Sequence, residues 1–201
     1  NKFNSEYFEL DIDKDNYRIK GTIKHSNLKN WPVKIFSPGA MSWYRFVPFM
    51  ECNHGIISMD HLIKGELIVE NDLIDFNNGK GYIEKDWGRT FPRAYIWMQS
   101  NHFADNGTSI TASVATIPWL GSWFRGFLVG FYHHGTLYRF TTYLGSEISR
   151  LMVDDHRVTW NLSGTGRTDP NAEYPGYNLK ITASRAVGGL LSSPELDGMT
   201  P

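Results

Sequence analysis

A chain of 201 residues, 41% hydrophobic and 20% charged, can bury a core without disulfide or metal staples and is neither disordered nor fibrous in composition. Lysine and arginine number 20 against 21 acids, so the net charge of −1 leaves no footprint for nucleic acid, and no apolar run of about 18 residues is present to span a membrane as a helix. The aromatic fraction is 14%, with 7 Trp, 10 Tyr and 12 Phe beside 19 Gly, which points to β-structure and an aromatic-lined cavity. From the N-terminus, Phe8, Leu10 and Ile12 alternate with Glu9 and Asp11. Tyr17, Ile19 and Ile23 alternate with Arg18, Lys20 and Lys24 across the turn formers Asp13 to Asn16, which predicts a hairpin with one wet face. Further strand-length runs follow at Ile63 to Val69, Tyr95 to Phe103, Ser109 to Ile117, Phe124 to Tyr132, Leu137 to Leu144 and Arg157 to Leu162. Asn71-Asp72, Asn77-Asn78-Gly79, Asp105-Asn106-Gly107 and His134-Gly135 separate them and tolerate the backbone of tight turns. No sustained helical stripe appears, and a short helical piece is expected only around Ser146 to Leu151. The tail 186–201 loses alternation and reads as loop.

The predicted fold is all-β, a single domain over 1–201. About ten antiparallel strands need closure or a second layer to protect their edges, which predicts an antiparallel barrel or a strongly curved sandwich. Unprotected edges can also pair with a second copy as a homodimer. The lone Cys52 fits a reducing compartment, reads as a buried inert thiol and makes a cytoplasmic placement the expectation. The sequons at Asn106 and Asn161 read as chance matches.

Candidate chemistry concentrates in Gly79 to Pro92. If that segment is extended to Trp87, then Tyr82, Glu84 and Asp86 share one face, while Ile83, Lys85 and Trp87 share the other. Two carboxyls on a face that looks into an apolar cavity would have one pKa raised, as a general acid requires. They would equally suit hydrogen bonds in the turn at Gly88 and Pro92, or ion pairs with Lys85 and Arg89. Along Tyr95 to Phe103 one face carries Tyr95, Trp97, Gln99, Asn101 and Phe103, either a ligand-contacting wall or core aromatics with amides bonded to backbone. His54, Asp60 and His61 lack metal-ligand spacing. His133 and His134 are adjacent, so on a strand they face opposite sides and no metal site is expected. Phosphate-cradling, nucleophile-elbow and dinucleotide motifs are missing.

At these same residues the chain resembles the tocopherol cyclase family. The resemblance rests on Trp43-Tyr44-Arg45-Phe46-Val47-Pro48-Phe49-Met50-Glu51-Cys52-Asn53-His54-Gly55, Ser58-Met59-Asp60-His61, Gly81-Tyr82-Ile83-Glu84-Lys85-Asp86-Trp87-Gly88 with Phe91-Pro92, and Trp97-Met98-Gln99-Ser100-Asn101-His102-Phe103, about a third of the chain. It implies a lipocalin-like β-protein, of which this chain is a fragment, and a reaction that closes the chromanol ring of a prenylated hydroquinone without redox chemistry or cofactor. On that resemblance Glu84 or Asp86 is the proton donor, Trp87 and Trp97 are cation-facing walls, and His54, Gln99 and Asn101 orient the hydroquinone oxygens. The alternatives are a non-enzymatic carrier of an isoprenoid or other apolar molecule, and a hydratase of isoprenoid double bonds. All three imply an apolar small-molecule ligand, and with it peripheral membrane contact.

Overall fold

A computed structural model describes every residue except Asp15, Phe49, Glu51, Phe91, Leu120, 165–175, Val187 and 189–201. The expected tail loop and the family motif positions Phe49, Glu51 and Phe91 thus lie largely or wholly outside the described residues. The strands are β1 (Lys2–Phe3), β2 (Tyr7–Lys14), β3 (Tyr17–Ser26), β4 (Cys52–Val69), β5 (Asp72–Asp75), β6 (Gly79–Gly88), β7 (Tyr95–Ser100), β8 (Thr108–Trp119), β9 (Ser122–His133), β10 (Thr136–Thr141), β11 (Glu147–Val153), β12 (Arg157–Gly164) and β13 (Tyr177–Ser184). They form three antiparallel sheets. The first runs β1-β2-β3-β4-β5 with β6 also paired to β4, the second β10-β9-β8-β7, the third β11-β12-β13. Among the described residues no sheet closes on itself, so of the two expected architectures the curved sandwich is the one observed.

The second sheet is the middle layer. One of its faces carries Ile110, Ala112, Val114 and Val129, packed against Val158, Trp160, Leu162 and Ile181 of the third sheet. On the other face Leu128 packs with Trp31, Ala40, Ile56 and Met59, brought by β4 and the segment before it. Both faces are therefore covered, and β8 is buried along most of its length although it is antiparallel.

The expected hairpin of β2 and β3 is present, with Asn16 in the left-handed conformation at its turn. The segment expected to contain a helical piece, Ser146 to Leu151, is instead the start of β11. Ile148 pairs with Leu162 and Leu151 with Trp160, because a bulge between Ile148 and Arg150 inserts one extra residue. A spacing of three then places both apolar side chains on the core face, as a helix would. The expected strand Leu137 to Leu144 ends early, at Thr141, and turns through a 3₁₀ segment at Thr142–Leu144.

Strand β4 is longer than the alternation suggested. It begins at Cys52 and bulges between Ile56 and Ser58 and again before His61, so its first half bends along β6 while its last four residues pair with β5. Gly21 of β3 and Gly65 of β4 permit close approach of these two strands, with φ of +154° and +145°. On the outer side of this sheet His61, 3% exposed, lies against Gly81 and within 4.9 Å of the His25 ring. Burial, and then the neighbouring His25, push the His61 pKa down to about 4. The folded protein therefore holds this ring neutral where the unfolded chain would protonate it. Stability from this site is complete above pH 6.5 and falls as the pH drops toward 4, by on the order of 2 kcal/mol. His61→Gln is expected to flatten that part of the profile in urea unfolding measured at stepped pH; an unchanged slope would refute the assignment.

Candidate functional site

A hollow forms between the first and second sheets because the side chains that face it from the middle sheet are small. Ser113 and Ala115 of β8 stand opposite Leu128 and Gly126 of β9, and opposite Trp97 and Tyr95 of β7 on the other side. The result is a cavity of about 370 Å³, at the lower end of the usual size of ligand sites, roughly 300–1,000 Å³. Its walls also take Ile117, Trp119, Phe124 and Phe127 from the middle sheet, and Met41, Tyr44, Val47 and Met50 from the segment ahead of β4. Tyr143 fixes that segment by donating from its hydroxyl to the Ala40 carbonyl at 2.8 Å, and its ring meets Tyr44 edge-on. Tyr95, Trp97 and Trp119 line the cavity yet remain about half exposed, so they mark its open rim.

The polar end comes from β4 and β6. Register places His54 opposite Asp86 and Ile56 opposite Glu84. His54, Glu84 and Asp86 line the hollow together with Cys52, while Ile56 stays in the neighbouring core. His54 Nδ1 lies 2.7 Å from Asp86 Oδ1 and 3.6 Å from Glu84 Oε1. Glu84 Oε2 accepts from the Tyr82 hydroxyl and from Trp97 Nε1 at 3.3 Å. The Glu84 and His54 side chains are each only 13% exposed.

These surroundings set the protonation. Burial is the main cause that raises the Glu84 pKa, helped by the Asp86 charge and opposed by His54 and Tyr82. Burial works against charge on His54, but the Asp86 hydrogen bond and the charges of Glu84 and Asp86 together outweigh it, so its pKa is raised as well. The cluster therefore holds a proton at a pH where isolated groups would have released it. Asp86→Asn removes both the charged hydrogen-bond acceptor and one of the two negative charges beside the ring, and should lower the His54 pKa. An NMR titration of the His54 ring showing no decrease would contradict this arrangement. Cys52 is pushed up to about 11, by burial first and then by Asp86 and Glu84, and stays a thiol at neutral pH as expected of an inert residue.

Of the residues singled out in the sequence, His54, Glu84, Asp86 and Trp97 meet at this site. Three do not line the cavity. Trp87 lies on the opposite face of β6, where its ring packs over Gly55 with Lys85 Nζ above it. Asn101 follows the end of β7 and donates from Nδ2 to the Gly81 carbonyl at 3.0 Å and to Asp60 at 3.3 Å, the backbone-bonding role. Gln99 sits opposite Thr111, and its buried Nε2 has no hydrogen-bond partner among the described residues. Tyr95 stood on the face of β7 weighed as a ligand-contacting wall and does line the cavity, whereas Tyr82 and Tyr44 stood out only as a neighbour of the carboxyls and as part of a motif. For Tyr82 the signal was its shared face with Glu84.

His54, Glu84 and Asp86 also present three donor atoms within 4.8 Å of one another, a geometry that can hold a metal ion. So do Asp105, His133 and His134, against the expectation that two adjacent histidines diverge. His134 is not extended: its φ of 43° at the β9–β10 turn swings Nε2 to 3.0 Å from Asp105, and His133 Nδ1 lies 3.5 Å from the same oxygen.

The sequence profile described as tocopherol cyclase-like matches residues 14–201. The chain belongs to the tocopherol cyclase-like family. It is 26% identical over 165 residues to the "Probable tocopherol cyclase, chloroplastic" of Oryza sativa subsp. japonica, covering 79% of this chain and 33% of that protein. It is likewise 26% identical over 175 residues to the "Tocopherol cyclase, chloroplastic" of Zea mays, covering 84% of this chain and 35% of that protein. The chain thus spans about a third of the length of the curated relatives it matches. Both relatives are named as chloroplastic, which lends no support to the cytoplasmic expectation. No solved structure matches significantly. Among the described residues of this family member, no helix is long and apolar enough to cross a membrane.

Proposed function

We propose that this tocopherol cyclase-like chain supplies the reaction chamber for acid-catalysed closure of a chromanol ring from a prenylated hydroquinone. The observation that carries the reading is a cavity with apolar and aromatic walls whose one polar end is a buried carboxyl of raised pKa beside a histidine–carboxylate pair. Glu84 donates its proton to the less substituted carbon of a trisubstituted alkene, and a tertiary carbocation forms on the other. The faces of Trp97 and Tyr95 stabilise that charge, and the apolar walls keep water from capturing it. The phenol oxygen then attacks the cation and closes the ring. Its proton leaves to the His54–Asp86 pair and returns to Glu84 through His54, 3.6 Å away. Substrate and product are isomers, and the proton cycle closes within the chain's own groups.

Tyr82 and Trp97 both donate to one oxygen of Glu84, which leaves Oε1 for the transferable proton. The test is product analysis after incubation with a synthetic prenylated hydroquinone. A closed ether is the expected product. Recovery of bound but unchanged substrate would replace this reading with a carrier, and a tertiary alcohol would replace it with a hydratase.

A further inference from the structure

The rim of the cavity is apolar well beyond what a ligand inside it would touch. Trp43 and Phe46 sit on the 3₁₀ turn Ser42–Phe46 that carries the lining residue Tyr44, and are 49% and 66% exposed. Trp119 and Trp123 flank the tip of the β8–β9 hairpin, at 45% and 64%. Ring contacts tie the two elements into one surface, Tyr44 to Phe124 at 6.4 Å and Trp119 to Phe124 at 6.4 Å. Val33, Ile35 and Phe36, on the loop leading into the 3₁₀ turn, are more exposed still.

Within the segments that carry this rim, charge is one-sided, with Glu51 and Asp86 lying just outside two of them in sequence. On a chain with 21 acids and 20 bases, residues 33–50 contain Lys34 and Arg45 and no acid, residues 87–97 contain Arg89 and Arg93 and no acid, and residues 116–126 contain Arg125 and no acid. All five cations are exposed. Exposed Trp and Phe interleaved with cations form the pattern that rests in the headgroup region of an anionic bilayer, with rings at the acyl boundary and cations at the phosphates.

We propose that this rim docks on an anionic lipid surface, so that an apolar substrate passes between bilayer and cavity without crossing water. The inference rests on the proposed function for the identity of the substrate and on the rim alone for the docking. A cavity of about 370 Å³ suits the reacting end of a prenylated aromatic, and docking would leave the remaining isoprenoid tail in the acyl layer.

The test is co-sedimentation of the chain with phosphatidylcholine vesicles, with and without phosphatidylglycerol, together with tryptophan emission. Binding to the anionic vesicles, a blue shift of the emission and weakening by salt are expected. Trp43→Ser with Trp123→Ser, both exposed positions outside the cavity wall, should weaken partitioning about tenfold or more. Arg45→Glu with Arg125→Glu should abolish the preference for anionic vesicles. Failure of the parent chain to bind either vesicle, or a tryptophan double variant that binds as tightly as the parent, would overturn the proposal. It would also be overturned if the parent were an oligomer without lipid that the same substitutions made monomeric, since the patch would then join copies. Turnover of detergent-dispersed substrate is read separately: vesicle binding without turnover sinks the cyclase reading alone, and turnover without vesicle binding sinks the docking alone.

Discussion

Glu84→Gln is expected to remove ring closure while leaving an apolar ligand bound. The amide has the same shape and can still accept from Tyr82 and Trp97, so the packing at the polar end is preserved. It has no acidic proton to give. General acid catalysis contributes about 10²- to 10⁴-fold, and a loss of that size in turnover with an affinity changed by less than a few-fold is the predicted result. The pH dependence has a definite sign. The donor must be protonated, so activity in the parent should fall as pH rises through the raised Glu84 pKa, and the residual activity of the variant should lose that limb. Combining Glu84→Gln with His54→Ala should add little, because the two groups act on one proton. Normal turnover by Glu84→Gln would remove the acid assignment and with it the mechanism.

Gly65→Ala should be among the most destabilising substitutions of a single small side chain in this protein. A Cβ at that position would stand 2.1 Å from the Thr22 carbonyl oxygen and 3.0 Å from the Ile23 Cα, and the φ of +145° disfavours any L side chain. Both obstacles are backbone, so no rotamer change relieves them, and β3 and β4 would have to separate. A loss of about 3 kcal/mol or more is expected. Gly39→Ala makes the control. Its φ of +93° carries conformational strain, but nothing lies within 4 Å of a Cβ there, so the cost should be nearer 1 kcal/mol. Equal urea midpoints for the two variants would show that the close approach of the strands is not what Gly65 provides.

Much of the fold was legible because period-two alternation survives wherever a strand has one wet face, as in Phe8 to Ile12 and Tyr17 to Lys24. The carboxyl pair was legible for the same reason. Once Gly79 to Gly88 is a strand, Tyr82, Glu84 and Asp86 must share a face. Alternation failed where a bulge shifts the count. Ile148 and Leu151 looked helical because three residues separate them, and the extra residue in β11 turns that spacing into a common face. Two bulges hid the first half of β4, which carries His54 to the site. His133 and His134 defied the rule for adjacent strand residues because the second already belongs to the turn.

What the sequence determined by itself is local: which segments extend, where they turn, and that an acid pair and an aromatic face stand on two of them. Family membership was also readable, since it rests on residues in order. Tertiary structure decided which faces meet. Trp87 and Trp97 look equivalent as residues beside a motif, yet one sits over Gly55 on the far side of β6 and the other hydrogen-bonds Glu84 from a different sheet. Asn101 bonds to Gly81 because β7 has ended before it. The raised Glu84 pKa likewise follows from enclosure between two sheets. Burial and the proximity of charges depend on contacts distant in sequence, and a one-dimensional pattern does not contain them.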